Sequence, residues 1–119
     1  MIAGIGIDIT DIDRVKLLND KYNQFKSKIL VGEELNEFNR FSGIRQIEFL
    51  AGRFSAKEAY SKALGTGIGK KVSFKDLEIL NDELGKPYFT RHPFRGVGHI
   101  SISHTKNLVI SEVILEVNN

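Results

Sequence analysis

The sequence predicts an α+β fold that ends in a mainly antiparallel meander. Three observations carry this. The stretch 45–64 has no proline and one interior glycine, Gly52, and its alanines and leucines favour a single long helix. Residues 2–9, IAGIGIDI, alternate apolar side chains with glycine, as a buried strand does where another backbone packs closely against it. Beyond residue 72, four short strand-like runs, near 73–81, 87–91, 97–104 and 107–117, follow one another.

Strand 2–9 places Asp8 at its end, poised at a sheet edge. The next residues, Thr10-Asp11-Ile12-Asp13-Arg14, offer hydroxyl and carboxylate caps and first-turn acids to a helix near 11–19. A helix cap is also the plain reading of Asp8. Further helices are expected near 21–30 and 33–41.

In the long helix, Ile47, Leu50, Ala51 and Phe54 form an apolar stripe that continues into Glu58, Lys62 and Gly65. Phe49, Ala56, Ala59, Tyr60 and Ala63 make a second stripe on roughly the opposite side. A helix packed on two faces keeps Glu58 out of open water, where its carboxylate needs a partner. The plain alternative is an i,i+4 surface pair of Glu58 with Lys62, which contributes only about 0.2 to 0.5 kcal/mol. Gly65 supplies the helix stop.

Asn81 to Pro87, NDELGKP, reads as a hairpin loop. In strand 97–104, Ile100 and Ile102 face one way, Ser101 and Ser103 the other, and parity sets His104 on the isoleucine side. In the last strand Val109, Val113, Leu115 and Val117 fill one face, broken only by Ser111. Leu108, Ile110 and Ile114 share the other face with Glu112 and Glu116, which is too apolar for open solvent. Either a partner subunit or the N-terminal helices of the same chain would cover it.

At 119 residues and 41% hydrophobic content, the chain fits one domain, 1–119. Without cysteine there is no disulfide or thiolate metal site, and with neither a signal peptide nor a long apolar span a soluble cytoplasmic protein, not a membrane one, is expected. A net charge of +2 without interleaved exposed aromatics gives no reason to expect nucleic acid. The charge is uneven, however. Arg14, Lys16, Lys21, Lys26 and Lys28 stand against Asp20 alone, and Glu33, Glu34 and Glu37 follow. Such runs are usually solvated faces. The sharper reading is a basic surface that docks an acidic protein partner.

Several blocks together resemble a family. Gly6-Ile7-Asp8 with Arg14, then Phe54-Ser55-Ala56-Lys57-Glu58-Ala59 with Lys62-Ala63 and Gly65-Thr66-Gly67, are similar to the signature pair of 4'-phosphopantetheinyl transferases. Ile47-Glu48-Phe49-Leu50-Ala51-Gly52-Arg53, Gly85-Lys86-Pro87 and Ser101-Ile102-Ser103-His104-Thr105 resemble further blocks of the short bacterial branch. The blocks run in order over nearly the whole chain, which makes them specific together. A departure is Val31-Gly32, where members often carry a capping threonine before the Glu-rich helix; it removes a helix cap, not a catalytic group.

The resemblance implies a compact fold with a small sheet packed on the long central helix. It implies transfer of phosphopantetheine from coenzyme A to a serine of apo acyl carrier protein, giving 3',5'-ADP, in fatty-acid synthesis. It makes Asp8 and Glu58 the Mg²⁺ ligands, consistent with the preference of that ion for hard oxygens and substrate phosphates. Glu58 and Lys62 become catalytic: Lys62 and the metal neutralise charge. Glu58 acting through a metal-bound water is the favoured base and Lys62 the second candidate. Arg53, with Arg45 and His104, would bind the 3'-phosphate of coenzyme A, to which an arginine fork is suited. The backbone of Gly65 and Thr66 would approach the ligand, and Arg14 and Lys21 would belong to the carrier-docking surface. A homotrimer with active sites at subunit boundaries is implied as well. Two other function classes fit parts of the sequence: a metal-dependent nucleotide phosphohydrolase, and a non-enzymatic module binding an acidic helix.

Overall fold

The computed structural model describes residues 1–118. Strand β1 (Ile2–Asp11) leads into helices α1 (Ile12–Lys21), α2 (Phe25–Ile29), α3 (Glu33–Arg40) and α4 (Ile44–Leu64). A 3₁₀ turn at Phe74–Asp76 precedes β2 (Glu78–Asn81), β3 (Pro87–Arg91), β4 (Gly96–His104) and β5 (Leu108–Val117).

The expected meander is divided. β2 and β3 form a separate antiparallel hairpin, while β5 lies between β1 and β4 in a three-stranded antiparallel sheet. β1 also runs on past its expected end, so Asp8 lies within the strand, opposite Ser111, on an edge strand of the sheet. The cap of α1 is Asp11, whose carboxylate accepts from the amides of Asp13 (2.9 Å) and Arg14 (3.3 Å). The helix expected at 21–30 shrinks to five residues, and the run 73–81 is strand only in its last four.

Helix α4 lies against the inner face of the large sheet and separates two apolar clusters. Ala56, Ala59, Tyr60 and Ala63 pack with Val113 and Leu115 in one; Ile47, Leu50 and Ala51 pack with Ile12, Val15 and Val109 in the other. Gly65, at φ 87°, ends the helix in the left-handed conformation, its amide bonded to the carbonyls of Ser61 and Lys62. At the start of α3 the missing threonine cap is replaced from a distance: the Glu78 carboxylate accepts from the Glu33 amide at 3.1 Å.

The glycines of β1 have the purpose that their alternation suggests. A Cβ on Gly6 would fall on the Ala59 carbonyl oxygen and crowd the Ala63 amide, and one on Gly4 would meet the Ala63 carbonyl. The strand thus lies backbone to backbone on α4, which brings Asp8 to Lys62. Gly6→Ala is expected to cost about 3 kcal/mol or more, because neither backbone can retreat alone. Denaturant unfolding checks this, and a loss below about 1 kcal/mol would show that β1 is free to shift.

The outer face of the sheet is bare. Ile5, Ile7 and Ile9 of β1 are 50 to 62% exposed, and Leu108 and Ile110 beside them 42 and 43%. The helices pack on the opposite face, so the option that they cover this surface within one chain does not hold.

Candidate active site

The site begins where β1 and α4 touch. Inward-facing Asp8 is 8% exposed and has both carboxylate oxygens engaged. Oδ1 faces the Lys62 ammonium at 3.2 Å, and Oδ2 accepts the Thr10 hydroxyl at 2.6 Å. Lys62 also donates to the Ile7 carbonyl at 3.0 Å. The ammonium is therefore directed across to β1, and the simple surface pair of Lys62 with Glu58 is not formed.

Glu58, one turn earlier on α4, is half-buried. Its carboxyl is pushed up from the usual range, first by burial and then by the negative charge of Asp8, with Lys62 opposing. A second carboxylate whose ionisation Asp8 opposes, beside a single ammonium, makes this a place suited to a cation.

A second cluster lies along the N-terminal half of α4. A cleft of about 280 Å³ is lined by Arg45, Glu48, Gly52 and Arg53 of α4, by Ile102 and His104 of β4, and by Asn81, Gly85 and Pro87 of the hairpin. Parity does set His104 on the Ile102 side, facing Glu48 at 3.8 Å. Arg45 is exposed and its guanidinium lies 5.0 Å above the Phe41 ring.

Arg53 differs from the exposed cation that its residue type suggests. It is 4% exposed, stacked 4.5 Å from the Phe49 ring, with Nε donating to the Ile79 carbonyl (3.0 Å) and Nη2 to Asn81 Oδ1 (3.3 Å). Nη1 has no protein partner among the described residues. Burial lowers its pKa to about 10, so the guanidinium stays charged at neutral pH.

Of the remaining candidates, Gly65 and Thr66 are exposed beyond the helix end, and Arg14 and Lys21 are exposed at the two ends of α1. Lys21 lines a hollow with Tyr22, Phe25 and Lys28.

A model of the 4'-phosphopantetheinyl transferase superfamily matches residues 4–116. The chain belongs to this superfamily. A curated relative from Lacticaseibacillus casei, a holo-[acyl-carrier-protein] synthase, is 54% identical over 116 residues, spanning 98% of this chain and 93% of that one. Another from Pediococcus pentosaceus is 54% identical across the full length of both. Among solved structures, the Bacillus anthracis holo-(acyl-carrier-protein) synthase in complex with CoA (3',5'-ADP) superposes with a TM-score of 0.93 at 48% identity, covering 99% of each chain. The Neisseria meningitidis enzyme gives 0.89 at 40% identity, covering 98% of this chain and 99% of that one.

For a phosphopantetheinyl transferase, the donor set at the β1–α4 contact fits Mg²⁺. Asp8 and Glu58 offer hard carboxylate oxygens, and no group of three or more His, Cys, Asp or Glu side chains suited to a metal occurs among the described residues. Two carboxylates completed by water and phosphate are a usual provision for this ion.

Sequence reasoning did not single out three buried polar residues that the fold places beside or behind these clusters, Thr10, Lys57 and Glu34. Thr10 is legible afterwards, since it stands two residues from Asp8 and so on the same strand face. Lys57 and Glu34 left no such sign. Glu34 was expected in an exposed acidic patch, yet it is fully buried, and so is Lys57.

Proposed function

We propose that this chain transfers the 4'-phosphopantetheine group of coenzyme A to a serine of apo acyl carrier protein in fatty-acid biosynthesis, as a cytoplasmic enzyme releasing 3',5'-ADP. The observation that carries the reading is the meeting of Asp8, Glu58 and Lys62 at one contact in a chain of this superfamily. No helix among the described residues is long and apolar enough to cross a membrane.

Asp8 and Glu58 would hold Mg²⁺, which when bound supplies positive charge to the pyrophosphate oxygens. Glu58 takes the proton of the carrier serine, and its raised pKa suits it to the task. The serine oxygen then bonds to the β-phosphorus while the bond from that phosphorus to the bridging oxygen breaks, and 3',5'-ADP leaves with the electron pair. Lys62, held by Asp8 and Ile7, neutralises the charge that develops on the leaving phosphate. Arg45, His104 and the unoccupied Nη1 of Arg53 receive the 3'-phosphate, and the Gly65–Thr66 backbone approaches the ligand.

Geometry along α4 supports sites shared between copies. At 1.5 Å per residue, Arg45 and Glu48 at the far end of the cleft lie about 20 to 25 Å along the helix from Lys62, and Arg53 at its near end about 14 Å. The 3'-phosphate and the pyrophosphate of coenzyme A sit on a single ribose. One ligand satisfies both clusters when the cleft of one subunit faces the Asp8–Glu58 pair of another, with the bare Ile5–Ile110 face as the contact of a homotrimer.

Incubation with coenzyme A, Mg²⁺ and apo acyl carrier protein, followed by weighing the carrier, tests the activity. A carrier heavier by one phosphopantetheine is expected. Consumption of coenzyme A without acceptor would instead indicate hydrolysis. For docking, Arg14→Glu is expected to raise the KM for carrier about tenfold and leave that for coenzyme A nearly unchanged, with the parent reaction weakening as salt rises. Carrier affinity indifferent to both would place the docking surface elsewhere.

A further inference from the structure

A buried charge cluster among the described residues, Lys57 with Glu34, lies outside the residues assigned to the reaction. Lys57 is fully buried, and its ammonium has three acceptors: the Ile29 carbonyl (2.7 Å), Glu34 Oε1 (2.7 Å) and the Phe74 carbonyl (3.1 Å). Glu34 is fully buried too. Its Oε1 also takes the Val31 amide at 2.9 Å, and its Oε2 takes the Ile79 amide at 2.8 Å. The Ile79 carbonyl in turn accepts from Arg53 Nε. Both backbone polar groups of one residue in β2 are thus gripped by side chains from α3 and α4.

This network has a direction. Two charges are kept out of water, which stabilises a fold poorly compared with apolar packing of the same volume. Its bonds end at Ile79 and Asn81, the strand that leads into the hairpin wall of the cleft, and at the guanidinium whose Nη1 is unoccupied there. An Arg53 tethered at Nε and Nη2 presents that nitrogen with little rotational freedom to lose when a phosphate arrives.

We infer that Glu34, with Lys57 as its counter-charge, is a positioning residue for coenzyme A: by holding the backbone of Ile79 it sets both the Arg53 guanidinium and the hairpin wall against α4. The inference rests on the reading that the nucleotide end of coenzyme A occupies this cleft. It assigns no part to Glu34 or Lys57 in the Asp8–Glu58 chemistry, so its mark is on affinity for one substrate.

The test is the pair Glu34→Leu with Lys57→Met, which removes both charges together so that neither is left buried alone, and leaves the Ile79 amide without its side-chain acceptor. With saturating carrier, the KM for coenzyme A is expected to rise about tenfold, while kcat and the KM for carrier stay within about twofold. A folded double variant with the parent KM for coenzyme A would overturn the inference, as would a fall in kcat at unchanged KM. Arg45→Ala, an exposed cleft change outside the network, separates the two readings. If Arg45→Ala raises the KM and the double variant does not, the network is at fault; if Arg45→Ala is silent as well, the cleft reading itself fails. Amide exchange on the parent protein needs no variant: coenzyme A is expected to slow exchange at Ile79 and Asn81, and unaltered exchange there would count against the coupling.

Discussion

Glu58→Gln keeps the fold and loses most of its turnover. The amide preserves shape but neither accepts the serine proton nor offers a full charge to a cation, and loss of a positioned base typically costs about 100-fold or more. The same variant is expected to gain slightly in stability. Because the folded state raises the pKa of Glu58, ionising it opposes folding: this group's contribution is greatest below the ordinary glutamate range and is lost as pH climbs through the raised value. Without added metal at neutral pH, Glu58→Gln should therefore melt no lower than the parent, and its advantage should vanish in acid, where both carry a neutral side chain. Mg²⁺ should raise the melting temperature of the parent and not of the variant. Near-parent turnover at limiting Mg²⁺ would remove Glu58 from both roles.

Ile110→Glu combined with Ile114→Glu should abolish assembly and activity together. Both residues lie on the outer face of β5, directly opposite Ile9 and Ile5 of β1, and His99 and Ser103 of β4 offer little apolar cover in exchange. If three copies share this face, the double change buries six carboxylates without partners, a penalty of several kcal/mol per copy. In a lone chain the same substitutions sit on open surface and cost little. Light scattering beside the carrier-modification assay separates the cases. A folded, fully active monomer would sink the shared site, and an intact trimer would show that another surface is the contact.

Much of the site could be read from the sequence because it obeys the two simple periods. Gly4 and Gly6 announced a strand lying close on another backbone, Gly65 announced the end of α4, and the alternation of β5 divided Val109, Val113 and Leu115 from Leu108 and Ile110. Periodicity says nothing of which strand pairs with which, so the insertion of β5 between β1 and β4, and the separate β2–β3 hairpin, were not legible. Nor were the buried charges. Arg53, Lys57 and Glu34 have the chemistry of surface residues, and only contacts across 26 positions for Arg53 to Ile79 and 45 for Glu34 to Ile79 make their burial tolerable. Lys62 shows the same limit on a smaller scale: spacing paired it with Glu58, and the fold gave it Asp8, 54 residues away.

The pairing of β1 with β5 also bears on how the chain comes to its structure during synthesis. Ile5 stands opposite Ile114, so the strand made first waits for a partner more than a hundred residues behind it on the ribosome. Until then Ile5, Ile7 and Ile9 are on a segment with an unsatisfied hydrogen-bonding edge, and such long-range closure is slow as well as prone to mispairing. A nascent chain lacking only residues 108–117 has no neighbour for β1 in the large sheet, and its packing on α4 alone is left to hold Asp8 at Lys62. A chain stalled before residue 108 would therefore present β1 as an unpaired apolar edge, the kind of surface on which partly made chains mispair.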